Sequence, residues 1–334
     1  MKKIALIGPD FFSYIQSIRD EFISRGYPCV YYDERHANDI LTKIYYRLQL
    51  TSFIKKKRDL HLAYVLNQIL LNGVTDVFFI DIEVVTENFV KSLKDNRINA
   101  HLYMWDSALN KDSFLKLLPL MTSKASFEPA DCSKYEMKYI PLFAEEFFSQ
   151  PTDMESKRNN EIVFLGTLHS HRAKHLDMLE RLTSLGGVKI KKLLYYHSKW
   201  LYTIKCFLNP VAFKYLKYLR TEGFSKFEIA SAYFHSLAVL DIHHPGQTGL
   251  TSRTFESLRS GAWLITLNRT VLTLPAELQK RVLLLSKMSE LSDRIVELHP
   301  NLPPLSAEMD YFLSLARFSD ELLANAGLSQ NSSR

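Results

Sequence analysis

The chain lacks what several protein classes require. No run of about eighteen consecutive apolar residues occurs, the length a membrane-spanning helix needs. Cysteine is scarce, and Cys29, Cys132 and Cys206 are odd in number and far apart. That spacing offers neither a disulfide frame nor a metal knuckle and suits a reducing compartment. The loop after the first apolar run, Gly8-Pro9-Asp10-Phe11-Phe12, has no Gly-x-Gly-x-x-Gly, which argues against a dinucleotide-dependent dehydrogenase. The opening MKKIALI stops at Gly8, too short for a secretory apolar region. It reads as a buried strand of a cytoplasmic protein. There is no short-period repeat and no low-complexity tract.

What is present is a globular composition. Of 334 residues, 46% are apolar and 23% charged, so the chain can bury sizeable cores, and its length favours two domains. The net charge of +6 suits an anionic partner of some kind. The cations are clustered: Lys43–Arg58 holds six basic residues and no acid, and Leu193–Arg220 is likewise basic, aromatic-rich and free of acids. Such mixtures suit an anionic membrane face, against the plainer reading of solvated helix faces with a core stripe. A nucleic-acid binder would also use them, but it leaves the α/β pattern unexplained.

That pattern begins at once. Lys3–Ile7 reads as a strand, Phe12–Arg25 as a helix closed by Gly26, and Cys29–Tyr32 as a strand, the β-α-β unit of a parallel sheet. Leu60–Asn72 (helix), Asp76–Ile80 (strand), Glu87–Asp95 (helix) and Ala100–Trp105 (strand) continue it, with short strands at Ala125–Phe127 and Lys138–Ile140. Ser149–Asn160 is polar and reads as a linker. The pattern restarts with strand Glu161–Leu165, a polar turn Gly166–His171, helix Arg172–Leu185, strand Val188–Leu194, helix Phe227–Phe234, and strands Leu237–Ile242 and Trp263–Thr266. The expectation is an α/β protein of two Rossmann-like domains facing a cleft, 1–150 and 151–334.

Between the last two strands lies HHPGQTGLTSRTFESLRSGAWLITLN, His243–Asn268. In open α/β sheets a loop after a strand's carboxyl end meets ligand. Gly246 and Gly249 allow close backbone approach. A helix beginning near Thr251 or Ser252 offers amides to an anion, reinforced by Arg253, and Glu256 one turn on can accept from a ribose diol. The plainer reading of Arg253 with Glu256 is a surface ion pair at i,i+3.

Gly249, Leu250, Thr251, Arg253, Glu256, Gly261, Leu264, Ile265, Thr266 and Asn268 resemble the donor-binding segment of GT-B glycosyltransferases. The pattern is closest to the capsule, lipopolysaccharide and spore-protein group described as CgeB-like. FLGTLHSHR, Phe164–Arg172, resembles that group's first C-domain strand and loop; YMWDSA and YIPLF match its N-domain more loosely. The resemblance implies an N-terminal acceptor-binding domain and a C-terminal donor-binding domain. It implies transfer of a sugar from a nucleotide-sugar donor to a glycan or lipid-linked acceptor in bacterial surface polysaccharide biosynthesis. The sugar nucleotide is then a substrate and no cofactor is expected. Glu256 would hold ribose, and Arg253, Gly166, Thr167 and Arg172 would meet the phosphates. His243 and His244 would touch donor sugar or phosphate.

Where many retaining members carry an earlier glutamate, Thr248 stands here, which leaves the stereochemical course open. No Asp-x-Asp occurs, so a metal clamp on the donor is disfavoured and no metal is expected; His169, His171 and His175 read as loop or phosphate contacts. An inverting reaction needs a base. Asp10 is the first candidate and Asp106 the second, with Asp81 and Glu83 as rivals, each against the reading of a capping aspartate or glutamate. The expected location is the cytoplasm, peripheral on the inner face of the membrane, with no nucleic acid bound. The alternative is a protein that kept the fold and lost catalysis.

Overall fold

A computed structural model describes residues 2–10, 13–37, 55–149, 158–167, 173, 176–181, 187–196, 198–208, 210–243 and 246–328. The chain forms two compact units, Met1–Leu142 with Leu315–Arg334, and Phe143–Ser314. The division falls a few residues before the expected boundary at 150, and most of the expected linker lies outside the described residues. The expected second domain, 151–334, also needs correction: its last segment belongs with the first unit.

In the first unit β1 (Ile4–Ile7), α1 (Tyr14–Ser24), β2 (Cys29–Tyr32), α2 (Lys55–Leu71), β3 (Asp76–Ile80), α3 (Glu87–Asp95), β4 (Asn99–Met104), β5 (Ser123–Ser126), α4 (Pro129–Tyr135) and β6 (Lys138–Tyr139) follow in order. The strands form one parallel sheet, β2-β1-β3-β4-β5-β6. β1 and β3 are buried at every position, which is why they read as unbroken apolar runs. Val77, Phe79, Leu102 and Met104 join Leu62, Val65 and Ile69 of α2 and Phe89, Val90 and Leu93 of α3 in one core. Gly8, directly after β1, has no room for a side chain: a Cβ there would lie 2.1 Å from the Ile80 carbonyl oxygen. At the opposite strand ends, His101 Nε2 lies 3.2 Å from Asp76 Oδ1 and Nδ1 lies 2.9 Å from Ser123 Oγ. These are the amino ends of β3, β4 and β5, away from the edge where α/β sheets take ligands, so the buried chain pins strands together.

The second unit contains β7 (Asn159–Thr167), β8 (Lys189–Tyr195), α5 (Lys199–Leu208), β9 (Leu219–Arg220), α6 (Lys226–His235), β10 (Ser236–Asp241), α7 (Ser252–Arg259), β11 (Trp263–Thr266), β12 (Val282–Leu284) and α8 (Ala307–Leu313). Its sheet is again parallel, ordered β12-β11-β10-β7-β8-β9. Of the expected helix 172–185, the described residues 173 and 176–181 are helical, and the others lie outside the described residues. Arg158 ties the unit's helices together, donating to the carbonyls of Tyr233, Ser236 and Ser260. The final helix, α9 (Leu315–Asn325), packs on the first unit.

Candidate functional site

The strand orders fix where each sheet opens. Chain direction along the second sheet reverses between β7 and β10, which pair side by side with Leu240 opposite Phe164. Such a switch point parts the loops on either side and leaves a crevice at the carboxyl ends. Gly166 and Thr167 end β7 there, and Asp241 ends β10. The segment His243–Glu256 leaves from the same point. Gly246 takes a left-handed φ of 86°, which glycine adopts without strain. Arg172 and His244 lie outside the described residues, as do His169, His171 and His175.

Asp241, which sequence reasoning passed over, organises the segment. Its Oδ2 accepts from Thr251 Oγ1 at 2.9 Å and Thr254 Oγ1 at 3.1 Å, and its Oδ1 pairs with Arg253 Nη1 at 2.6 Å. A carboxylate at the amino end of α7 also meets the positive end of the helix. Thr251 occupies the N-cap position but makes no side-chain cap bond, because its hydroxyl turns to Asp241. The pattern's last residue locks the glycine-rich turn: Asn268 Nδ2 donates to the carbonyls of Thr248 and Gly249 at 3.0 and 3.2 Å, and its Oδ1 accepts from Thr270 N. Thr266 Oγ1 donates to the Asp241 carbonyl. Leu250 is buried beneath the turn.

Polar groups left over at this point are informative, because buried ones normally find partners. Among the described residues, Arg253 Nε, His243 Nδ1 and the Tyr233 hydroxyl are buried and make no geometric hydrogen bond, with Arg253 and Tyr233 near enough to act on one another. Glu256 is buried, and its charge reaches both Arg253 and Tyr233. Burial foremost, then the Glu256 charge, pushes the Tyr233 phenol up. Burial is the largest single influence on Arg253 and opposes its charge, but Asp241, Tyr233 and Glu256 together outweigh it and hold the guanidinium firmly protonated. Tyr233, from α6, could not be singled out in the sequence among 17 tyrosines. Asp241 did leave a signal: it is the one acid in the apolar run LAVLDI.

In the first unit the switch lies between β1 and β3. Asp10, past β1, is exposed, with Gln16 Nε2 3.4 Å away. Asp106 Oδ1 accepts from Ser107 N and Asn110 Nδ2, each at 2.9 Å, the bonds of a turn-capping aspartate. Asp81 differs. It follows β3 on a left-handed backbone, φ 52°, unusual for a non-glycine residue and frequent at functional sites. Its Oδ2 takes Lys111 Nζ at 2.6 Å while its Oδ1 is buried and makes no geometric hydrogen bond among the described residues. Burial drives its pKa up to about 6, against the pull of Lys111. Beside it Glu34 accepts from Glu83 N and Val84 N through one oxygen, at 2.8 and 2.9 Å, and Arg35 pairs with Glu83 at 2.8 Å. Burial drives Glu34 to about 7, opposed by those amides and by Lys111.

By sequence, no protein-family description and no curated protein matches this chain. By structure, the chain is similar to HepE from Anabaena in complex with UDP and glucose, with a TM-score of 0.65, 9% identity, and 98% of this chain and 100% of that one covered. It is also similar to the lipopolysaccharide outer core galactosyltransferase WaaB, with a TM-score of 0.57, 13% identity, and 97% and 98% covered. A UDP-GlcNAc 2-epimerase from Methanocaldococcus jannaschii in complex with UDP-GlcNAc and UDP has a TM-score of 0.55 at 9% identity, with 98% and 100% covered. The fold is the two-domain Rossmann-like GT-B architecture.

Proposed function

We propose that the protein is a Leloir-type glycosyltransferase that takes a sugar from a nucleotide-sugar donor, with the nucleotide end held at the β7/β10 switch point. The observation that carries this reading is the set of buried polar groups that make no geometric hydrogen bond among the described residues, Arg253 Nε and His243 Nδ1 after β10 and the Tyr233 hydroxyl from α6 before it, gathered around Asp241. Arg253, already oriented by Asp241, has a donor left for a diphosphate oxygen. The amides of Gly166 and Thr167 and the start of α7 add positive potential as the nucleotide leaves. Arg172, His244, Gly246, Gly249, Leu250 and Thr251 complete the assigned donor site, and Glu256 takes the ribose diol. This chemistry proceeds without a metal or cofactor in our reading. The acceptor is a glycan or a lipid-linked sugar of a bacterial surface polysaccharide. For an inverting course Asp81 joins Asp10 and Asp106 as candidate base, since a carboxyl near pH 6 is better matched to proton abstraction.

The test is a panel of nucleotide sugars with release of free nucleotide as readout, run on wild type and on Glu256→Ala and Arg253→Ala. Each variant should fold and lose at least about a hundredfold in turnover, the scale of losing one charge-stabilising donor. A second reading is an epimerase, favoured by the likeness to UDP-GlcNAc 2-epimerases. It predicts an altered sugar still joined to its nucleotide. Donor binding in calorimetry with neither product would identify a fold that has lost catalysis. Normal turnover by Glu256→Ala would remove that residue from the site.

A further inference from the structure

The excursion between β8 and β9 presents more apolar surface to solvent than any core argument explains. α5 already spends one face on the second unit's core, where Tyr202 and Cys206 are buried. Its opposite face carries Trp200, Ile204 and Phe207, which are 70%, 44% and 74% exposed. Their spacing of four and three residues puts them in one stripe. Leu201 flanks it, and the 3-10 segment Pro210–Tyr218 widens it with exposed Phe213 and Tyr218. Phe207 and Phe213 stack edge to face, centroids 5.6 Å apart, so the two segments make one continuous surface. A shallow depression of about 460 Å³ between them is lined by Lys199, Trp200, Phe213 and Lys217.

The stretch of chain that carries this surface has charge of one sign, and the acids near it come from the flanking segments. Positions 181–221 contain nine Lys or Arg and no Asp or Glu. Some of these cations are already paired: Lys192 with Glu180, Lys214 with Asp177 and Glu180, and Arg220 with Glu228. Lys199 and Lys217 are exposed and form no ion pair among the described residues. Lys217 lies over the Tyr218 ring at 5.0 Å.

We propose that α5 and Pro210–Tyr218 form a docking surface for an anionic lipid bilayer, with Trp200, Ile204 and Phe207 entering the headgroup boundary and Lys199 and Lys217 reaching lipid phosphates. Aromatic and aliphatic side chains on one helix face, rimmed by lysines, are the composition of an interfacial helix. A second copy of the chain fits worse, because an isologous contact sets the same lysines against each other. Among the described residues no helix is long and apolar enough to cross a membrane, so the contact assigned is to the surface. It stands on this exposed face and is independent of the sugar-transfer reading.

The test is co-sedimentation of the full chain with vesicles of phosphatidylcholine alone and of phosphatidylcholine with phosphatidylglycerol, at low and high salt. Wild type should bind the anionic vesicles at least about tenfold more tightly, and salt should weaken it. Lys199→Gln with Lys217→Gln should lose about tenfold or more of that preference. Trp200→Ala with Phe207→Ala should lose binding to the anionic vesicles, although both side chains are exposed and the fold should keep its circular dichroism. Equal binding to both vesicle types, no binding, or unchanged binding by the aromatic pair would overturn the assignment. So would a concentration-dependent dimer in wild type that the aromatic pair abolishes, which would make the surface a self-interface.

Discussion

Asp241 illustrates how one side chain can organise a loop and the helix that follows it. Its two oxygens collect Thr251, Arg253 and Thr254, so the carboxylate sets where α7 begins and which way the guanidinium faces. Asp241→Asn keeps the shape but removes the nearest counter-charge of Arg253, and breaking such a pair should destabilise the fold by about 3–5 kcal/mol. Denaturant midpoints measure this. A double-mutant cycle with Arg253→Gln should be non-additive by about 1–3 kcal/mol, and additivity would show that the two residues act separately. Glu34 makes the opposite electrostatic case. Its carboxyl is raised from 4.5 to about 7 by burial, so the folded chain holds a proton that the unfolded chain releases. The associated stability is present below about pH 4.5 and is lost as pH rises through 7. Both backbone amides use the same Glu34 oxygen, so Glu34→Gln preserves them. The variant should be more stable than wild type near pH 8 by about 3 kcal/mol and equal to it near pH 4. A difference independent of pH would mean that Glu34 does not titrate on folding.

At the scale of elements, the turn before α7 is held by its far end. Asn268 reaches back to the carbonyls of Thr248 and Gly249, which gives a physical reason for an asparagine after the strand WLIT. Asn268→Ala should weaken nucleotide binding by more than it lowers the melting temperature, since it frees a surface turn and leaves the core intact; calorimetry and thermal unfolding together check this. Gly8 is the corresponding constraint in the first unit. Gly8→Ala would drive a methyl into the Ile80 carbonyl and should destabilise by about 1–3 kcal/mol, read from denaturant midpoints. The strands were readable from sequence for a simple reason. DVFFI and WLIT are buried at every position, and a parallel strand covered on both faces leaves an unbroken apolar run. The start of α7 was readable too, because Thr-Ser after a glycine turn is a local signal. The Asp241 hub was not. Its meaning depends on partners ten to thirteen residues away that only the folded loop brings back. Among the candidate acids, nothing in the sequence distinguishes exposed Asp10 and capping Asp106 from Asp81, because left-handed backbone and burial are tertiary facts.

The whole molecule adds a constraint that no local pattern carries. The two sheets switch direction at different places, β1/β3 in the first and β7/β10 in the second, yet the chain visits the first unit twice. A helix pattern such as Leu315–Asn325 says which face is apolar and not which unit receives it. The contacts supply the answer: Phe318 meets Tyr103 of β4 edge to face at 4.9 Å. Arg25 Nη2 donates to the Ala316 carbonyl at 2.8 Å, and the Tyr27 hydroxyl donates to the Leu328 carbonyl. Arg317, almost fully buried, donates to the carbonyls of Pro141 and Leu142 at 2.9 and 2.5 Å. The helix therefore stitches down the last residues of the first unit just where the chain departs for the second. Arg317→Ala strands two carbonyls and removes a buried cation whose alkyl stem is packed, and it should lower stability by about 2–4 kcal/mol. The damage should also be local, because stability divides along cooperative units. Amide hydrogen exchange should accelerate in β4, β5 and 137–142 and stay unchanged in β10, α7 and β11. Equal acceleration in both sets would mean that the chain unfolds as one body and that the return of its C-terminal helix does not mark a separable unit.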